Sequence, residues 1–145
     1  MSPFDTISAS EILPQREPFV IVDRLVHYDE RETVTAFTVP VEHLLVADGY
    51  LTAPGILENM AQSSAARIGY LCKFILHVPV RVGYIGAIRK FRVYRLPAVG
   101  ETLTTTILFR EDVFGISLVD AVVRVGEDLI AEASLKTTLG EKEAE

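Results

Sequence analysis

The sequence predicts an α+β domain in which one antiparallel sheet of about six strands wraps around a single long central helix. Three observations carry this reading. A hydrophobic period of 3.6 residues is sustained in one place only, from Pro54 to the mid-70s, while alternating or β-branched runs fill most of the rest. The elements come as two strands, the helix, then four strands with hairpin-length connections, which is not the alternating order of a parallel α/β sheet. The helix also carries Ala61, Ser64, Ala65 and Gly69, small enough for a sheet to curl closely around it. With 145 residues the chain suits one domain, placed at residues 1–139, with a charged flexible tail at 140–145.

Ser10-Glu11-Ile12-Leu13-Pro14 suggests a short helical turn closed by the proline. Phe19 to Val26 is β-branched and apolar, as a first strand should be, and Arg31 to Val39 supplies a second across the polar turn at Asp29 and Glu30. From Val41 to Ala53 no period is sustained, and Asp48-Gly49 marks a turn. Pro54 fits the first turn of a helix, where its missing N–H costs nothing. Behind it Ile56, Leu57, Met60, Ala61, Ile68, Leu71 and Cys72 gather on one side of the helical wheel. Val82 to Tyr94 reads as the third strand, with Gly83 and Gly86 as bulge or close-approach points. After the loop Pro97-Ala98-Val99-Gly100, Leu103, Thr105, Ile107 and Phe109 alternate with Thr102, Thr104, Thr106 and Arg110. Val119, Ala121, Val123 and Val125 face inward from the next strand, and Leu129, Ala131, Ala133 and Leu135 from the last.

The composition, 49% hydrophobic and 23% charged, is that of an ordinary globular chain with a slight apolar excess of the kind that often ends in a subunit interface. Met1-Ser2-Pro3-Phe4-Asp5 has neither a basic n-region nor an apolar h-region, and no apolar run approaches the length of a bilayer span. A cytoplasmic protein without membrane insertion is expected. Cys72 stands alone, so neither a disulfide framework nor a zinc spacing is present.

The most specific segment is Pro54-Gly55-Ile56-Leu57-Glu58-Asn59-Met60-Ala61-Gln62. An ionised side chain bordering a core is costly unless it is paired or used, so Glu58 demands a reason. The segment resembles the central-helix motif of the β-hydroxyacyl-acyl carrier protein dehydratases (FabZ/FabA-like) of the hotdog superfamily. There a proline-glycine start leads to a glutamate and a Met-Ala-Gln-like run. Leu13 to Arg24 looks like that family's N-terminal entry and first strand, Ile85 to Phe91 like its third-strand glycine segment, and Pro97 to Glu101 like its Pro-x-x-Gly-Asp loop. The resemblance covers most of the chain. It implies the hotdog fold, a homodimer or higher assembly of dimers whose sheets join, and a thioester channel running between subunits.

It also implies the dehydration of a 3-hydroxyacyl thioester, with the phosphopantetheine thioester as part of the substrate and no further cofactor or metal. That reaction needs a base for the α-proton, an acid for the departing β-hydroxyl, and donors for the thioester oxygen. The family supplies a His from a Gly-His-Phe-Pro loop of one subunit and a Glu from the central helix of the other. Glu58 matches the Glu. Tyr50 stands where the His should be, followed by Leu51-Thr52, and the loop is several residues shorter. A phenol with a pKa near ~10 is a poor proton acceptor at neutral pH, although it can donate a hydrogen bond. The chain is therefore a divergent member of the resemblance, lacking the usual loop His.

His43, upstream in the same loop, has two open roles: a relocated base, or a loop residue at the pocket mouth. Glu58 too has an alternative, because a glutamate near a helix start complements the dipole. Asn59 and Gln62 are candidates to orient the carboxylate or contact the thioester, or are ordinary edge-of-core amides. Gly55, opening the helix, offers a backbone N–H to the thioester oxygen. Gly86 joins the substrate-binding set through the third-strand glycine segment.

Charge is unevenly spread. Between Asn59 and Gly100 no Asp or Glu occurs against seven Lys and Arg, so that segment is +7 and the remainder −13. Arg89, Lys90 and Arg92 at its centre form either a solvated face or a docking surface for an acidic acyl carrier protein or for pantetheine phosphate. Nucleic acid is a poor partner for a chain of net charge −6 without a stacking platform of aromatics. The leading reading is a 3-hydroxyacyl-carrier-protein dehydratase-like enzyme of fatty-acid or polyene-type biosynthesis, acting on carrier-protein or coenzyme A thioesters. The alternatives are a hotdog acyl thioesterase, in which a lone carboxylate activates water, and a non-catalytic carrier-binding subunit that pairs with a complete dehydratase.

Overall fold

The hydrophobic periods correctly place one long helix and six long strands. The computed structural model describes Phe4 and residues 7–143. Its elements are α1 (Ala9–Ile12), β1 (Arg24–Tyr28), β2 (Glu32–Thr38), β3 (Val46–Ala47), β4 (Tyr50–Leu51), α2 (Ala53–Tyr70), a π-helical turn (Leu71–Ile75), β5 (Arg81–Val93), β6 (Thr102–Val113), β7 (Ile116–Val125) and β8 (Asp128–Glu143). Six strands form one antiparallel sheet in the order β1-β2-β6-β7-β8-β5, curled around α2, which is the hotdog arrangement. The two edges are β1 and β5.

Inward positions follow the two-residue period. Leu103, Ile107, Val119, Ala121, Val123, Ala131 and Leu135 pack on Ile56 and Met60 of α2 in the main core. Complete burial of side chains the size of Ile56 or Met60 contributes about 1.5–3 kcal/mol each. A second cluster, with Ile7, Ile12, Leu13, Val22, Leu25 and Ala66, pins the N-terminal segment against the other side of the helix.

The differences from expectation have local causes. The first strand begins at Arg24, not Phe19, because residues 19–21 direct their backbone groups at helix amides instead of a strand. Within the loop of residues 41–53 a two-residue hairpin pairs Val46 with Leu51 and Ala47 with Tyr50. Its turn residues Asp48 and Gly49 both have positive φ, 54° and 83°, the pairing that tight hairpins favour. Leu129 faces solvent and Ile130 is buried in its place, because the β7–β8 register slips between Val123 and Arg124. The backbone of β8 pairs with β5 as far as Glu143 opposite Arg81, into the segment expected as a tail, whose last residues 144–145 lie outside the described residues.

The helix begins one residue before Pro54, with Thr52 as N-cap. Its buried face is wider than the apolar stripe. Asn59, Gln62, Ser63 and Ser64 are buried, while Leu57, Ala61 and Leu71 are only half-buried. Asn59, Gln62 and Ser63 turn inward here because each finds a partner, as Ser63 does with Thr35 Oγ1 at 2.7 Å. Among the described residues no helix is long and apolar enough to cross a membrane.

Candidate active site

Glu58 lies on the second turn of α2, half-buried. Its Oε2 accepts a hydrogen bond from Gln62 Nε2 at 3.0 Å, one helical turn on. The Gln62 amide is itself fully committed. Nε2 also donates to the Phe19 carbonyl at 2.9 Å, and Oε1 accepts from the Ile21 N–H at 2.9 Å. Asn59 completes the clamp, donating to the Ile21 carbonyl at 2.8 Å and accepting from Thr105 Oγ1 at 2.5 Å. Two side-chain amides therefore tie residues 19–21 to the helix, and the same network orients one oxygen of Glu58. Among the described residues its other oxygen, Oε1, has no hydrogen-bond partner.

Two cavities meet at this carboxylate. One of about 190 Å³ runs along the helix past Ala61, Ser64, Ala65 and Ile68, with Gly83, Tyr84 and Ile85 of β5 as its far wall. The other, about 500 Å³, opens past Phe19, His43, Leu44 and Leu45, and is mostly apolar. Only Glu58 and Gln15 line both. An extended substrate threaded through the pair would have its middle at Glu58 and an arm in each.

His43 does reach the second cavity, but its ring is occupied. Nδ1 accepts the Leu45 N–H at 3.1 Å, and Nε2 faces the Val20 carbonyl at 3.2 Å. This pattern fixes the proton on Nε2 and fills the lone pair that a base would need. Tyr50 is 47% exposed in β4 and lines neither cavity. Its surroundings are stiff: Leu51 N–H donates to Pro97 O and Val99 N–H to Gly49 O, both at 2.9 Å. Glu101 anchors the Pro97 loop through Arg95 at 2.9 Å and the Ala98 N–H at 2.8 Å, and the Arg95 bonds, followed by that N–H, hold its carboxyl below the usual range.

Three of the residues expected at the substrate have other surroundings in the structure. The Gly55 N–H caps onto Thr52 Oγ1 at 3.3 Å, and a Cβ there would stand 2.5 Å from Leu51 Cδ1, so this glycine serves helix packing. Asn59 is wholly buried, with both ends of its amide used by the protein itself. Gly86 lies at a β5 register shift, exposed, while Gly83 is the glycine on the cavity wall. Gln62 lines the second cavity and holds one oxygen of Glu58.

The basic residues split as well. Arg89 and Lys90 border a groove of about 420 Å³ on the outer side of the sheet together with Arg110, Lys136 and Asp120, whereas Arg92 lies outside it. Sequence reasoning missed Gln15 altogether. Its segment, Leu13 to Arg24, served as a fold marker, although a polar side chain beside residues that dock on the Glu58 turn was a usable signal.

Residues 7–145 match the family model described as ApeP-like, the ApeP dehydratase. The chain belongs to the ApeP-like dehydratase family. It is also 31% identical to the 3-hydroxyacyl-[acyl-carrier-protein] dehydratase FabZ of Desulforamulus reducens, over 95% of this chain and 99% of that one. Its identity to the FabZ of Pasteurella multocida is 30%, over 89% of each chain. Among solved structures, the dehydratase heterocomplex ApeI:P from Xenorhabdus doucetiae superposes with a TM-score of 0.85 at 16% identity, covering 94% of this chain and 93% of that one. Among the described residues, Glu58 is the carboxylate that lines both of these cavities.

Proposed function

We propose that this ApeP-like chain dehydrates 3-hydroxyacyl thioesters at the Glu58 junction. The carrying observation is a single carboxylate at the shared wall of two cavities, with one oxygen held by Gln62 and the other free. The carboxylate takes the α-proton, the Cβ–O bond breaks as the Cα–Cβ double bond forms, and Glu58 returns the proton to the departing hydroxyl, which leaves as water. Tyr50, at the position of the family's loop His, takes no part in proton transfer, and His43, bonded to the Leu45 N–H and the Val20 carbonyl, holds the loop over the cavity. The substrate brings its own phosphopantetheine arm, and this chemistry needs no further cofactor or metal.

The site works in a dimer. Strand β5 is an uncovered sheet edge bearing exposed Tyr84 and Ile88, next to the first cavity. A homodimer is the simplest partner, operating in the cytoplasm on thioesters of an acidic carrier protein that docks at Arg89 and Lys90. A second reading, in which another dehydratase subunit supplies the base, is favoured by the occupied His43 lone pair. Product analysis tests the proposal. The purified chain, alone and mixed with a complete dehydratase subunit, is given 3-hydroxyoctanoyl-N-acetylcysteamine. Enoyl thioester without thiol release is the expected product, and activity only in the mixture selects the second reading. Free thiol without enoyl identifies a thioesterase and overturns the proposal.

A further inference from the structure

The last turn of α2 carries Arg67, a cation to which the protein gives no partner. Arg67 is the first cation of the acid-free stretch, and the residues three and four positions away on its helix are Ser63, Ser64, Tyr70 and Leu71. Among the described residues no carboxylate stands within ion-pair distance of the guanidinium, and its N–H donors meet no acceptor. Packing alone holds the side chain. Ala66 and Ile68 on either side are buried, and the guanidinium carbon lies 4.5 Å from the centre of the Phe109 ring. The side chain is half-buried, and burial pushes its pKa down against opposing contributions from Tyr28 and Asp112.

Arg67 lines a cavity of about 380 Å³ beside the β6–β7 hairpin, separate from the two at Glu58. Ile68, Leu71 and Phe109 give it apolar walls, and Arg81 adds a second cation. Its one carboxylate, Asp112, is occupied within the hairpin, accepting from the Gly115 N–H at 3.1 Å and from Ser117 Oγ at 3.2 Å. The geometry points to a binding site for an organic carboxylate, with its head on Arg67 and its apolar body against Ile68, Leu71 and Phe109. A carboxylate matches the planar guanidinium fork with two parallel charge-assisted bonds. One uncommitted fork balances one negative charge, and Asp112 on the same wall opposes a second, so a carboxylate fits better than a phosphate dianion. Two sources carry this chemistry. One is a separate fatty-acid-like molecule. The other is an acyl chain held at Glu58 whose far end bears a carboxylate, since Ile68 and Thr137 line both this cavity and the first one. Neither source is required by the dehydration proposed above.

The test is calorimetric titration of the full chain with octanoate and with octan-1-ol, which share a chain and differ in the charge of the head. The parent is expected to prefer octanoate by about tenfold or more, as hydrogen bonds to a charged group require. Binding at the Glu58 junction would reverse that order, because like charges repel. Arg67→Met keeps the apolar stem and should bring the two affinities within about twofold, with octanol binding unchanged as the sign of a folded variant. Its turnover of 3-hydroxyoctanoyl-N-acetylcysteamine should stay near the parent's, because Arg67 lines neither cavity at Glu58. Arg67→Lys retains the charge without the fork and should keep part of the preference. Displacement of octanoate by the hydroxyacyl compound in the parent assigns the site to the far end of an acyl chain, and simultaneous binding assigns it to a separate molecule. A parent that binds octanoate no better than octanol, or a preference that survives in Arg67→Met, overturns the site and leaves the dehydratase reading standing.

Discussion

The Glu58 junction and the outer groove beside Arg89 and Lys90 both gather charged side chains, and they do so in opposite ways. At the junction one half-buried carboxylate borders two cavities, fixed on one side by Gln62 and free on the other. In the groove four cations surround Asp120, which already accepts from Arg110 Nε at 2.5 Å and Ser134 Oγ at 2.9 Å, and the rim faces solvent. A group held by a saturated support can do chemistry, because its geometry costs nothing further when substrate arrives. Solvated cations at a groove's rim instead steer and dock, and salt screens them. On the proposed function, the chain divides reaction from recruitment between the inner and outer sides of its sheet.

The largest effect expected from disturbing this division is at Glu58. Glu58→Gln keeps the shape and the contact with Gln62 but cannot take a proton, so turnover should fall by about 10²-fold or more with the melting temperature nearly unchanged. Next comes the support beneath it. Asn59→Leu strands the Ile21 carbonyl and Thr105 Oγ1, and two unsatisfied buried groups should cost about 2–4 kcal/mol in urea unfolding. If stability hardly changes, the clamp is not what holds residues 19–21. On the outer side, Arg89→Glu with Lys90→Glu should raise the KM for an acidic carrier-protein substrate about tenfold at low salt and leave a small N-acetylcysteamine thioester unaffected. An equal loss on both substrates would merge the two regions into one. Tyr50→Phe, outside both cavities, should alter turnover less than about threefold.

The smallest effect is a pH control far from both regions. In the β1–β2 turn, Asp29 accepts from His27 and from the N–H groups of Glu32 and Arg31, which lower its pKa from 3.8 to about 2. A depressed folded-state value means that the stabilisation is present above the unfolded pKa and is lost as pH falls through 2. The parent's urea midpoint should therefore decline between about pH 4 and 2, and Asp29→Asn should remove part of that decline.

The sequence made the fold legible where one side chain type meant one environment. Leu103, Ile107, Val119, Ala121 and Leu135 alternate as apolar-in residues must, and they are buried as expected. Polar residues that turn inward broke the rule. Asn59, Gln62 and Ser63 are buried because partners 28 to 46 residues away in sequence satisfy them, and no local pattern displays such a partner. The same blindness affected the site. Glu58 was found through its motif, but the occupied ring of His43 depends on the Val20 carbonyl, and the pairing of Gln15 with Glu58 depends on how two distant segments pack. Gly55 and Gly86 were assigned by position along the chain, whereas their roles follow from what lies next to them in space.

The most direct measurement is a crystal structure with the amide analogue of 3-hydroxyoctanoyl-pantetheine, in which nitrogen replaces the thioester sulfur and no acyl transfer can occur. The expected result places the α- and β-carbons against the Glu58 carboxylate and one arm of the molecule in each cavity. A ligand bound only in the outer groove, or one whose hydroxyacyl end lies away from Glu58, would contradict the assignment of the reaction to this junction.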